Sequence, residues 1–326
     1  VKRRRVLSAV VAVALAQAWS VRSTAQPAPK TPVIGLLDAG ERPDEWSAFG
    51  EQMRQLGYID GRNVAYVHRA AKGNVEAAST LAKELVQQKV AVIVTTGAAA
   101  ALAAQRATNR IPIVMASGAD QVGLGLASSF AKPGGNVTGV SSFTPDLMAK
   151  RLELLREVVP GSVRLGALWH KENISSMASV REIDGAATKL GVAFQSFSIS
   201  DAEGLDDAFT TMTRQKIDAL IVVNSPLMFL LRARLAALAL KHRLPAIFGS
   251  TEYVEAGGLI GYGPSYVELA RRAANYVDRI LKGANPGDLP IELPTTFELA
   301  VNAKTARALG LTIPPTMLAR ANQVIR

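Results

Sequence analysis

Side chains able to do covalent or metal chemistry are scarce in this chain. It holds no cysteine and three histidines, His68, His170 and His242. They stand far apart, without a His-x-x-x-His or Glu-x-x-His pair to set two metal ligands on one helix face. No Gly-x-Ser-x-Gly turn raises a serine nucleophile, and no Gly-x-x-x-x-Gly-Lys-Ser/Thr loop cradles a phosphate. "GLGLAS" (123–128) copies two glycines of a dinucleotide fingerprint, but it follows the fourth predicted strand and puts serine in place of the third glycine. A turn with a short packed helix is the better reading. His242, in "KHRLPAIFG", suits the negative end of a helix dipole. The sequence therefore predicts no enzyme, no catalytic residue, no metal site and no cofactor.

What remains is the binding chemistry of strand–helix junctions. In "VAVIVTTGAAAALAAQ" (90–105) an apolar strand runs into Thr-Thr-Gly and at once into a string of alanines. Open α/β sheets bind ligands beyond the carboxyl ends of their strands, where helix N-termini offer free N–H groups and partial positive charge. Thr96 can offer a hydroxyl, Gly97 lets a ligand approach the backbone, and the N–H groups of Ala98 and Ala99 could hold a carboxylate. The plainer alternative is that Thr95 or Thr96 caps the helix.

Other strand ends belong to the same candidate cleft. In the first half they are Asp38 with Ala39, Ser117 to Asp120, and Ser141 to Phe143, including Ser142. In the second half they are His170 with Asn173, Asn224 with Ser225, and Ser250 with Glu252 and Tyr253, followed by Tyr262 on the crossing strand. Each residue alone suits a cap or a turn; the argument is their shared position. An amino acid bound there would set its carboxylate on Thr96 to Ala98 and its ammonium on Asp38, Asp120 or Glu252. Phe143, Tyr253 or Tyr262 could stack on an apolar group.

The elements that would position these residues alternate regularly. Strands are predicted at 33–38, 63–69, 91–96, 111–116 and 136–141, with helices near 45–56, 75–88, after Gly97 and at 124–131. A second series follows, with helices at 146–158, 174–190, 202–215 and 227–241 and strands at 164–170, 192–199, 218–224 and 245–249. Parallel neighbours need crossover connections, and helices supply them. The expected fold class is α/β, with two Rossmann-like doubly wound lobes joined by a multi-crossover hinge. The N-terminal lobe is expected to comprise 32–142 plus about 262–285, and the C-terminal lobe 143–261 plus about 286–326. The late strands at 257–263 and 296–302 and the helix at 266–283 make the chain cross between lobes more than once.

At 326 residues and 48% hydrophobic, the chain can bury the cores of two such lobes. Its first residues, "VKRRRVLSAVVAVALAQAWSVRSTAQ", place four basic residues before an apolar run of about 14, the order of a secretory signal peptide. Ser23 and Ala25 fit cleavage after Ala25, and the run is shorter than the roughly 20 residues needed to span a bilayer. A signal peptide over 1–25 and a free periplasmic protein are expected. Of the formal +10 charge, that segment accounts for Lys2, Arg3, Arg4, Arg5 and Arg22, leaving +5 scattered along the remainder. Such scatter argues against a nucleic-acid or membrane-surface partner.

Several long stretches resemble one family, the periplasmic substrate-binding proteins of ABC transporters, which includes tryptophan/tyrosine-type binders. They include "QLGYIDGRNVAYVHRAAKGN", "LAKELVQQKVAVIVTTGAAAALAAQRATNRIPIVMAS", "DQVGLGLASSFAKPGGNVTGVS" and "RLPAIFGSTEYVEAGGLIGYGP". "KRLELLREVVPG" and the C-terminal "LPTTFELAVNAKTARALGLTIPPTMLARANQVI" extend the likeness over about Val33 to Ile325. The resemblance implies a type I periplasmic binding fold that closes on a small solute and delivers it, as a monomer, to an inner-membrane ABC permease with its ATPase. Many members carry Trp-Asn-Pro after the sixth strand; here the loop reads Trp169-His170-Lys171-Glu172-Asn173. That loop faces the cleft in the family, so the departure bears on ligand identity. The expected cargo is a small carboxylate-bearing solute, an amino acid or an aromatic acid. The rival readings are a periplasmic sensor domain signalling to a membrane partner and, further off, an α/β enzyme.

Overall fold

The apolar runs at 33–38, 92–96 and 113–117 form strands whose residues are almost all buried, as a parallel sheet covered on both faces requires. A computed structural model of the chain describes residues 31–40, 42–118, 120–142 and 147–326. The signal peptide expected over 1–25, and Phe143, lie outside the described residues. The first sheet contains β1 (Val33–Asp38), β2 (Ala65–Ala70), β3 (Val92–Thr96), β4 (Ile113–Ser117) and β5 (Val137–Gly139). Its order is β2-β1-β3-β4-β5, parallel throughout. Helices α1 (Pro43–Gln55), α2 (Val75–Gln87) and α3 (Ala98–Ala107) connect the first four strands. Alternate strand residues serve opposite faces. Ile34, Leu36, Val92 and Val94 share a core with Phe49 and Met53 of α1, while Leu37, Ile93 and Ile113 pack with Leu85 of α2 and the alanines of α3.

The second lobe begins with α4 (Leu147–Val158), β6 (Arg164–His170), α5 (Ser176–Lys189), β7 (Ala193–Ile199), α6 (Gly204–Arg214) and β8 (Ala219–Val222). Then come α7 (Pro226–Leu230), α8 (Arg232–Lys241), β9 (Ala246–Phe248), α9 (Thr251–Glu255) and β10 (Ile260–Pro264). The chain next returns to the first lobe as α10 (Tyr266–Leu281), whose Leu269, Ala273 and Val277 join the core around Phe49. It stays there through Leu289, buried in the same core, and Glu292, which bridges Val140. Strand β11 (Phe297–Asn302), α11 (Ala303–Leu309), α12 (Pro315–Arg320) and β12 (Gln323–Ile325) complete the second lobe. Its sheet has the order β12-β11-β10-β9-β8-β6-β7, parallel except where β10 meets β11. Three passes join the lobes, the third after Glu292.

Two sequence-based expectations need correction. The stretch 124–131 is not helical: Asp120 Oδ1 accepts the N–H groups of Val122 and Gly123, and Gly125 has φ of +70°, so the chain folds into turns. The single helix expected at 227–241 is two helices that break at Leu231, with Ser225 capping the first through the N–H of Met228.

Candidate functional site

Strand β3 ends in two buried threonines, and its register against β4 shifts between them. Gly97 then turns the chain with φ of +77° and ψ of 156°, a conformation closed to residues bearing a Cβ. A Cβ there would also stand 3.2 Å from that of Ala39. Neither threonine caps α3. Thr96 Oγ1 accepts the N–H of Ala39 (3.1 Å) and donates its one proton to Asp38 Oδ1 (2.7 Å). Among the described residues no side chain caps α3, which leaves its first-turn N–H groups at the positive end of the helix.

Asp38 is fully buried and acts as a hub of acceptors. Oδ1 also takes the N–H of Gly40 (2.9 Å), and Oδ2 takes the N–H of Arg42 (3.0 Å) and the indole of Trp46 (2.8 Å). Burial alone would raise this carboxyl. His68 beside it, with the donors of Gly40, Trp46 and Thr96, outweighs burial and holds it well below the usual carboxylate range. Both oxygens are taken, so Asp38 fixes the floor of the site and has no acceptor left for an ammonium. Thr96 likewise shapes the floor and has no proton left to give.

The junction opens into a cavity of about 510 Å³ between the lobes, a size that suits a small molecule. From the first lobe the walls include Thr96, Gly97, Ala98, Ser117, Asp120 and Ser142. Asp120 spends Oδ1 on its own turn, while Oδ2 accepts no hydrogen bond among the described residues. From the second lobe come Asn173, Asn224 and Ser225. Asn173 donates to Ser176 Oγ (2.8 Å), whereas Asn224 is held between Tyr253 and Tyr266, accepting from one hydroxyl (3.0 Å) and donating to the other (2.8 Å).

Four predicted residues lie elsewhere. His170 is buried at the end of β6 with Nε2 3.1 Å from Glu172, and burial pulls its imidazole down against the opposing pull of that carboxylate. Ser250 and Glu252 belong to a smaller hollow of about 190 Å³ that also holds Asp44, Glu255 and Glu298, because α9 turns them away from the main cavity. Tyr262 stacks on Phe297 across β10 and β11 and packs into the second-lobe core.

A family model described as ABC transporter substrate binding protein matches residues 33–325. The chain belongs to this family. A tyrosine-binding protein from Clostridioides difficile (strain R20291) is 27% identical over 281 residues, 85% of this chain and 81% of that one. The crystal structure of an ABC domain in complex with L-Trp from Streptococcus pneumonia is 28% identical, covers 90% of this chain and 100% of its own, and superposes with a TM-score of 0.85. A ligand-free, open substrate-binding protein with adhesive properties from Clostridium difficile, 25% identical with coverage of 90% and 99%, gives 0.67. The better fit to the liganded structure agrees with the contact between lobes in this substrate-binding protein: a Cβ on Gly40 would come within 2.9 Å of Pro226. The type I periplasmic binding fold, and the family's general role of capturing a solute outside the cytoplasmic membrane for a membrane permease, follow from these matches.

Sequence reasoning missed Arg42, Arg151, Ser175, Arg181, Glu182 and Tyr266, all in the cavity wall of this substrate-binding protein. One signal was available. Arg151 sits four residues after Leu147 and four before Leu155, a cation in the middle of an apolar helical stripe. It is 1% exposed, and its guanidinium bonds the carbonyls of Tyr262 (2.8 Å) and Gly249 (3.2 Å), with no carboxylate in ion-pair range among the described residues. Burial pulls its pKa down from the usual arginine value, yet an arginine remains a cation at neutral pH.

Proposed function

We propose that this substrate-binding protein captures a small carboxylate-bearing solute, an amino acid or aromatic acid, and passes it to an ABC permease with its ATPase. The observation that carries the reading is the uncapped N-terminus of α3, opening through Gly97 into the same cavity that Arg151 walls as a buried cation bonded to two carbonyls, with Glu182 the carboxylate whose charge acts on it. The carboxylate would accept the N–H groups of Ala98 and Ala99. An ammonium would lie against Asp120 Oδ2, the oxygen its own turn leaves open. Leu124, Leu147, Met148 and Met177, with the ring of Tyr266, supply apolar surface for the side chain. The tyrosine-binding relative and the L-Trp complex support an aromatic amino acid as the first class to try.

The reading is tested by a thermal-shift screen against L-tryptophan, L-tyrosine, indole-3-propionate, tryptamine and neutral sugars. Ligands that bind only the folded state raise its melting temperature. The expected result is a shift with the compounds that carry a carboxylate and none with tryptamine or sugars. Stabilisation by tryptamine equal to that by L-tryptophan would refute the carboxylate cradle.

A further inference from the structure

Arg42, in the loop between β1 and α1, reaches across the seam between the lobes. Its guanidinium carbon lies 4.0 Å from the ring centroid of Phe229, on α7 of the second lobe, and 4.6 Å from that of Tyr266, where the chain has just crossed back to the first. Nη1 is held at 2.7 Å by Glu45 Oε1 in the first turn of α1, and both side chains are buried, 10% and 2% exposed. The aromatic side is fixed as firmly. Phe229 meets Tyr253 edge-on, and the Tyr253 hydroxyl donates to Asn224, which donates in turn to Tyr266. Close by, Gly40 touches Pro226 and Gly73 faces Leu227. A cation on first-lobe backbone, aligned by a first-lobe carboxylate, therefore rests on an aromatic face of the other lobe, at the seam where the lobes meet.

Such a contact exists only when the lobes are together, and ligand-driven closure shifts an equilibrium by no more than the free-energy difference between its two states. We propose that Arg42 is a positioning residue for solute capture: its stacking on Phe229 latches the lobes closed, with Glu45 holding the guanidinium in register. The latch biases the hinge before any solute arrives, so it does not depend on which solute fills the cavity. Loss of the latch raises the open fraction and speeds solute release.

The chain has no cysteine, so two spin labels can be placed without background, at Lys83→Cys on α2 and Asp207→Cys on α6, both exposed. Distance distributions of the ligand-free protein are expected to contain a short, closed component. Arg42→Lys keeps the charge but loses the planar stack, and Phe229→Leu keeps apolar bulk but loses the π face. Each should lower the closed-to-open ratio about three-fold or more, within the range of a desolvated cation–π contact. The double variant should fall short of the product of the two single effects, because both remove the Arg42–Phe229 contact, although Arg42 also stacks on Tyr266 and Phe229 also carries Arg232. Melting temperatures within a few degrees of wild type identify folded variants, and the more conservative Arg42→Lys decides if Phe229→Leu falls outside that limit. Absence of a short component in the ligand-free protein, an unchanged ratio in the folded variants, or losses that multiply in the double variant would overturn the latch. Because no solute is present, these outcomes leave the carboxylate reading untouched.

Discussion

The two walls of the cavity are built in different ways. The first lobe forms its wall from strand ends and backbone: Thr96 and Asp38 close a ring of hydrogen bonds, Gly97 takes a conformation only glycine tolerates, and α3 presents N–H groups. The second lobe adds helix flanks to its strand-end residues Asn173, Asn224 and Ser225, with Arg151 of α4 and Ser175, Met177, Arg181 and Glu182 at or near the start of α5. Among the described residues some of its polar atoms have no bonded partner, as with the buried Ser175 Oγ. The contrast suggests a division of labour. A fixed backbone wall suits the invariant part of a solute, such as a carboxylate, and a side-chain wall suits the part that varies between solutes.

If that division holds, damage to the first wall is the more costly. Asp38→Ala strips the acceptor from Gly40, Arg42, Trp46 and Thr96 at once. A loss of about 3 kcal/mol of stability is expected in urea unfolding, since buried donors left unpaired forfeit their desolvation cost.

The same loop predicts an unusual pH profile. Burial raises the Glu45 carboxyl to about 7, with Arg42 pulling it down and Asp38 and Glu252 pushing it up. Arg42 pairs with Glu45, while Asp38 is kept ionised by His68 and its other donors, so Glu45 is the group that takes a proton. Its folded pKa lies above its ordinary 4.5, so its contribution is fully present below that value and is lost as pH rises through about 7. Asp38 runs the other way, stabilising above its ordinary 3.8 and failing as pH falls. The Glu45 contribution is expected to fall by roughly 3 kcal/mol toward pH 8, while that of His170, whose imidazole burial pulls down, is lost as pH falls below its ordinary 6.5. Glu45→Gln should flatten the neutral side of the profile in urea titrations across pH.

Much of this architecture was legible in the residues. Buried apolar runs separated by amphipathic helices gave both sheets their strands except the short edge strand β12, and the Thr-Thr-Gly-Ala junction pointed to the α3 N-terminus. The rule behind the site, that ligands sit beyond strand carboxyl ends, says which end of a sheet to examine. It does not say which way the following helix turns. Ser250 and Glu252 follow a strand end as expected, but α9 turns them into the neighbouring hollow, and Tyr262 spends its ring on Phe297. Asp38 shows a second limit, since its position fitted a ligand contact while its own loop consumed its acceptors. The second wall was harder to foresee because helix-flank residues follow a packing angle between α4 and α5, which no local spacing encodes. The buried arginine on the apolar stripe of α4 was the exception.

Smaller effects sharpen the contrast. Asp120→Asn should weaken binding of L-tryptophan about ten-fold, as expected for loss of one charge-assisted contact, and leave indole-3-propionate unaffected, as read by calorimetry. Ser175→Ala, in the second wall, should change folding stability by less than about 0.5 kcal/mol, because its hydroxyl has no partner to lose. Glu252→Gln should leave solute affinity within about two-fold of wild type, since the residue faces the other hollow.

The most direct measurement is a calorimetric comparison of L-tryptophan, tryptamine and indole-3-propionate on one preparation of the protein. The three share an indole and differ in which charged end they carry. A backbone cradle at α3 predicts that both carboxylates bind, the amino acid more tightly through Asp120, and that tryptamine gives no measurable heat of binding. Binding of tryptamine as tight as that of L-tryptophan would contradict it and move recognition to the ammonium and the ring.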